Sequence, residues 1–217
     1  TCKGLVPREV IRVVTPGTLI ESSMLDETSN NYICSFYVRS KECSMCLADI
    51  STGEVHLFEF SGKDMANDAV NELSRFSPVE ILINDAFLTF KDIGDFIRTR
   101  LSAAVQLLDE NQFSPMLHTD EVLKQFSADS FEVLGIDGDS AAAFAVCGLF
   151  GYIHETQKAL VGRFSQIIRH DKGPIMTIGF TARRNLELTE TLRNKEKKGS
   201  LLWVLDNTKT SMGKRML

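Results

Sequence analysis

At 217 residues, with 43% hydrophobic side chains and a formal net charge of −5, the chain can form one large domain, or a domain and part of another, around a substantial core. The acidic balance argues against a broad nucleic-acid-wrapping surface, because nonspecific DNA affinity comes largely from cations displacing phosphate counterions; a local basic patch stays compatible with it. No apolar run approaches the roughly 18 residues of a membrane span, the opening Thr-Cys-Lys-Gly-Leu-Val lacks the basic-then-apolar pattern of a secretory signal, and no low-complexity tract points to disorder.

In chain order, residues 9–20 form a β-branched run broken at Pro16–Gly17, which reads as a short strand and a fixed turn, since Pro fixes φ and Gly admits turn geometries. Residues 22–30 are polar and loop-like. Asn31–Val38, Cys43–Ile50 and Glu54–Phe60 are strand-length segments separated by tight connections, which predicts an antiparallel three-stranded meander. Val55, Leu57 and Glu59 alternate with His56, Phe58 and Phe60, and neither set is cleanly polar, so helices are expected on both faces. Residues 64–75 carry a helical repeat in Met65, Ala69, Glu72, Leu73 and Phe76, which Ser77–Pro78 stops. Glu80–Asn84 reads as a short buried strand. Lys91–Leu101 reads as a helix with Ile93, Phe96, Ile97 and Leu101 on one stripe. Ala103–Leu108 fits strand or helix. Thr119–Phe126 reads as a short helix capped by Thr119. Ser140–Val161 is the clearest helix: Asp139 or Ser140 can cap it, Ala143, Cys147, Phe150, Ile153 and His154 suggest its buried face, and Gly148 and Gly151 permit close backbone approach. Together these elements give an α/β domain over roughly residues 22–161. Beyond Gly162 the composition changes. Thr181–Lys198 is rich in cations, Leu201, Leu202, Val204 and Leu205 form an apolar cluster, and residues 212–217 have the character of a helix just starting. An abrupt end of that kind is expected of an internal stretch of a longer protein.

The five cysteines are too few for a disulfide scaffold and odd in number. Cys34, Cys43, Cys46 and Cys147 lie in apolar surroundings. Cys43 and Cys46 have half the spacing of a zinc site, but no second pair is near, and strand positions three apart point to opposite faces. Buried reduced thiols and a cytoplasmic setting are the expectation. His56, His118, His154 and His170 show no metal spacing. Asp49, Asp85, Asp109 and Asp137 each follow an apolar segment, and Asp49 is the best candidate for a two-metal centre, which would need several carboxylates converging around the ions. The plainer reading makes each a turn or terminus acceptor. No Gly-x-x-x-x-Gly-Lys-Ser/Thr phosphate loop occurs.

Three stretches resemble the MutS mismatch-repair family. Arg8-Glu-Val-Ile-Arg-Val-Val-Thr-Pro-Gly-Thr18 is similar to the segment that enters the family's connector. Leu47-Ala-Asp-Ile-Ser-Thr-Gly-Glu54 is similar to a turn of the connector sheet. Arg183-Arg-Asn-Leu-Glu-Leu-Thr189, followed by Gly199-Ser-Leu-Leu-Trp-Val-Leu-Asp206 and Thr208-Lys-Thr-Ser-Met-Gly-Lys-Arg215, resembles the opening of the helical core, or lever, domain. They occur in the family order. The chain departs from the pattern at Gly179–Ala182, where the family places an aspartate among small residues.

The resemblance implies an α/β fold with an RNase H-like connector, a mixed sheet flanked by helices, followed by a partial α-helical lever segment. It divides the chain into the end of a mismatch-binding domain and linker (1–21), the connector (22–161) and the start of the lever (162–217). It implies a non-catalytic role: coupling mismatch-binding and ATPase regions and docking a MutL-type partner. Mismatched double-stranded DNA, homodimerisation, ATP and Mg would belong to the full-length parent, and neither its mismatch wedge nor its ATP site lies in this stretch. Arg183, Arg184, Arg193, Lys195, Lys197 and Lys198 are the candidates for DNA or interdomain contacts, with Lys209 and Lys214 as outliers. An RNase H-like nuclease and a weak DNA-binding fragment are the alternatives.

Overall fold

The computed structural model describes residues 13–19, 29–157, 164–170, 178–210 and 213–214. The expected strand before Val13, most of the loop at 22–30, the end of the long helix after Gln157 and most of the final helix lie outside them.

The first strands are β1 (Tyr32–Arg39), β2 (Glu42–Asp49) and β3 (Glu54–Ser61), paired antiparallel as a meander. Helix α1 (Met65–Phe76) follows, closed by a left-handed Ser77 whose amide bonds Leu73 O. Then come β4 (Glu80–Ile83), α2 (Lys91–Arg100) and β5 (Ala104–Leu107). Strand β4 runs parallel to β1, and β5 parallel to β4. Helices α3 (Glu110–Phe113), α4 (Pro115–Phe126) and α5 (Ala141–Thr156) precede β6 (Ile168–His170), which runs parallel to β3. The order across the six-stranded sheet is β5-β4-β1-β2-β3-β6. Short helices α6 (Phe180–Asn185) and α7 (Leu201–Leu205) come last. This mixed sheet between helices is the expected RNase H-like α/β architecture.

Strand alternation produces two cores. Cys34, Phe36, Val38, Cys43, Met45, Leu47, Phe58 and Phe60 face α1 and α2. Ile33, Tyr37, Cys46, Ala48, Val55 and Leu57 face α5 and its neighbours. A period of two on a sheet covered on both sides leaves both sets apolar, which is why neither face of β3 reads as polar in sequence. Cys43 and Cys46 accordingly enter different cores, and the Cys43 thiol is pushed up to about 12 by burial.

Thirteen of the sixteen residues of α5 are buried, many of them alanine or glycine. That composition lets the helix backbone lie close to the sheet. A Cβ on Gly148 would sit 2.3 Å from Phe113 Cδ1, and one on Gly151 would sit 2.9 Å from His118 Nδ1. Phe113 is wholly buried, and burying such a ring contributes about 2 kcal/mol. Ser140 caps the helix, accepting a hydrogen bond from the Ala143 amide.

Several local expectations change. Helix α4 begins at Pro115, not Thr119: extended Ser114 precedes it, and Pro at the first position gives up an amide that has no helical partner anyway. Thr119 lies inside the helix and donates its hydroxyl back to Pro115 O. Helix α3 is unforeseen, started by a reciprocal Asp109–Gln112 capping box. The ambiguous Ala103–Leu108 contains an edge strand with every residue exposed. His154 is about half exposed and leaves the buried face to pair with Glu121 at 2.9 Å. The sheet also continues past the expected boundary at residue 161, through β6.

Candidate functional site

The sheet and the helices packed on it hold the chain before β1 and after β6 by different chemistry. On the incoming side, Thr15–Thr18 folds into a tight turn with Pro16 at its start, and the Thr15 amide donates to Thr18 Oγ1 at 2.9 Å. The turn rests on Glu80, the first residue of β4, which is only 2% exposed. Glu80 Oε2 accepts from the Thr15 hydroxyl at 2.7 Å and from the Gly17 amide at 2.8 Å, while Oε1 accepts from the Tyr152 hydroxyl of α5 at 2.7 Å. Burial and this bond push the Tyr152 phenol up to about 12. Gly17 is required by space: a Cβ there would lie 2.7 Å from Ile33 Cβ and 2.9 Å from Glu80 Oε2. At the end of α5, Thr156 O accepts from the Val13 amide, and Gln157 Nε2 donates to Val13 O at 3.0 Å. A carboxylate taking three hydrogen bonds in this setting replaces its lost hydration with fixed donors. Sequence reasoning missed Glu80; its only signal is an acid at the head of the apolar run Ile81-Leu82-Ile83.

On the outgoing side the contacts are cationic. Arg183 Nη2 donates to Ser74 Oγ at 2.9 Å and Asn71 O at 3.3 Å, both on α1. The Phe180 amide donates to Asn71 Oδ1 at 2.9 Å, and the Phe180 ring meets Phe96 of α2 edge-on at 5.6 Å. Burial lowers the Arg183 pKa, with attraction from Glu72 opposing it and repulsion from Arg75 adding to it. Arg184 lies over the Phe180 ring.

The six candidate cations do not converge on one surface contact. Arg183, Arg184 and Lys195 line a cavity of about 390 Å³ against α1 and α2. Lys197 instead pairs with Asp206 at 2.6 Å, an ammonium contact that, with Thr208, holds the Asp206 carboxyl well below the usual carboxylate range. Arg193 and Lys198 are exposed, as is the outlier Lys209. Leu201, Trp203 and Leu205 of α7 also face solvent, about half exposed.

Asp49 is fully buried, and turn bonds occupy its carboxylate: Oδ1 accepts from the Ser51 amide at 2.7 Å and the Ser51 hydroxyl at 2.6 Å, and Oδ2 from the Asn31 amide at 3.0 Å. Asp109 starts α3, and Asp137 accepts from the Asp139 amide. Among the described residues, no three His, Cys, Asp or Glu side chains gather as a metal ion requires. The histidines form separate pairs. His56 Nδ1 meets His170 Nε2 at 2.9 Å, and His118 and His154 share Glu121. Burial lowers the His56 pKa, outweighing the attraction of Glu54.

Fold and site together define an RNase H-like connector, with its best carboxylate candidate committed to a turn and with polar clasps on the segments before and after its sheet. The family model for MutS domain II matches residues 31–167, and that for MutS domain III matches residues 181–217. The chain is 37% identical over 220 residues to the DNA mismatch repair protein MutS of Alkaliphilus oremlandii, an alignment spanning 99% of this chain and 25% of that protein. It is 37% identical over 216 residues to the MutS of Lachnoclostridium phytofermentans, and 36% identical over 215 residues to that of Clostridium tetani, again with 99% of this chain aligned and 23% of each relative. The chain belongs to the MutS family of DNA mismatch repair proteins, and spans about a quarter of the length of these relatives.

Proposed function

We propose that this chain is a non-catalytic coupling module of a mismatch-repair ATPase, linking a mismatch-binding region to an ATPase region and docking a MutL-type partner. In this reading residues 1–21 end the mismatch-binding domain, 22–161 form the connector, to whose sheet β6 adds a strand, and the rest of 162–217 opens the lever. ATP and Mg are handled elsewhere in a homodimeric, cytoplasmic parent that holds mismatched double-stranded DNA. The observation that carries the reading is that one α/β body holds both the incoming turn, through Glu80 of β4, and the outgoing helix α6, whose Arg183 bonds α1. A body held at both ends carries a displacement from one to the other, provided it has two arrangements that the ends favour differently.

The test uses the whole mismatch-repair protein with Glu80→Gln or Arg183→Gln. Basal ATP turnover should persist while the mismatch-stimulated increment falls several-fold; stimulation equal to the parent's in both stably folded variants rejects coupling. Micromolar binding of a purified MutL-type protein should accompany docking, and its absence rejects that part. Exposed Arg193 and Lys198 supply a direct DNA contact in this proposal, read as weak duplex binding that declines steeply with salt.

A further inference from the structure

We propose that the cavity between α1, α2 and α6 is a binding site for a phosphate-bearing anion. Its volume, about 390 Å³, falls within the roughly 300–1,000 Å³ of small-ligand sites. Among the described residues, five cationic side chains line it, Arg75, Arg100, Arg183, Arg184 and Lys195, against one carboxylate, Glu190. Arg75 comes from α1, Arg100 from α2, Arg183 and Arg184 from α6 and Lys195 from the segment after it, so the fold brings the set together. Two carboxylates, Glu190 in the lining and Glu72 beside it, face these five cations among the described residues, and Glu72 attracts Arg183 as well as Arg75. Arg75 has Glu72 at 3.4 Å, outside the cavity lining, and Arg183 spends its bonds on neutral oxygens of Asn71 and Ser74. Arg184 Nε is buried and, among the described residues, meets no hydrogen-bond partner, while the guanidinium is steadied over Phe180 at 5.8 Å.

Like charges gathered beside apolar rings repel one another, and an entering anion relieves that repulsion. Guanidinium forks present parallel N–H donors matched to pairs of phosphate oxygens, and a phosphoryl group offers three such oxygens with up to two negative charges. A single carboxylate would satisfy fewer of these donors. The source is either a free phosphate compound or the backbone of a nucleic acid, and the chemistry at the site is shared.

The experiment titrates the 217-residue chain with inorganic pyrophosphate at constant ionic strength, followed by calorimetry and by the NMR signals of arginine Nε–H groups. Saturable one-to-one binding is expected, with a shift of the Arg184 Nε–H resonance. Arg184→Gln, and separately Arg100→Gln with Lys195→Gln, should weaken binding about tenfold or more, whereas Lys41→Gln with Lys63→Gln, exposed and outside the cavity, should not. A short DNA duplex that displaces pyrophosphate and weakens with the same substitutions supports the site and makes the nucleic-acid backbone its source. A duplex that leaves pyrophosphate bound supports it with a free anion as the source. No saturable pyrophosphate binding, or binding indifferent to the cavity substitutions, overturns the proposal. None of these readouts depends on ATP turnover, so this site and the coupling role stand or fall separately.

Discussion

Glu80 holds Thr15 and Gly17 with a carboxylate that is only 2% exposed, whereas Arg183 holds Ser74 and Asn71 from a guanidinium partly open to water. Both are side-chain clasps on a neighbouring segment, yet they differ in what replaces them when broken. Water can reach the donors and acceptors on the outgoing side and recover most of their bonding. On the incoming side, loss of Glu80 strands the Tyr152 hydroxyl and the Gly17 amide next to a closed core and leaves the Thr15 hydroxyl with Thr18 Oγ1. The lesson is that the number of hydrogen bonds ranks the two junctions less well than the access of solvent to them.

The sharpest way to break this contrast is paired truncation. Glu80→Ala should lower unfolding free energy by about 3 kcal/mol, whereas Arg183→Ala should cost about 1 kcal/mol or less. Urea melts of the two variants read the difference directly, and equal losses would erase the asymmetry. Next in size is Gly17→Ala, where the new methyl meets Ile33 and Glu80 below normal contact distance. Overpacking there should cost about 2 kcal/mol, and hydrogen exchange should quicken at the Val13 and Gly17 amides before it does in β1. The smallest effect is acid dependence at the β3–β6 edge. The His56 pKa is lowered in the folded chain from its ordinary 6.5, so between those two values the unfolded chain binds more protons. Stability is therefore complete above about pH 6.5 and declines as pH falls through that interval, levelling below the folded value. His56→Phe should flatten this part of the pH profile, measured as melting temperature.

How much of this was legible in the sequence depends on whether the informative residue is local. The meander was readable because β1, β2 and β3 are strand-length segments joined by short connections. Strand β5 was not: four residues without a buried face, at the edge of a sheet, carry no period to distinguish strand from helix. Strand β6 is three residues in a polar stretch and gains its identity from pairing with His56–Phe58, more than a hundred positions earlier. The same distance hid the incoming clasp. Thr15 and Gly17 read correctly as a turn, but their acceptor is 63 and more residues away, and an isolated glutamate gives no hint that it will be sealed under a turn. The cation-rich stretch stood out by composition, while its division into cavity-lining, acid-paired and solvent-facing members required α1, α2 and Asp206 to be in place.

Gly148 and Phe113 occupy space that only one of them can enlarge into, since the ring stands where a methyl would go. Related proteins should therefore vary at these two positions together: a bulkier residue on the long helix calls for a smaller one on the short helix facing it. A cross-swap of Gly148→Ala with Phe113→Leu, restoring part of what either change loses alone, would expose this hidden partnership between distant sites in the chain.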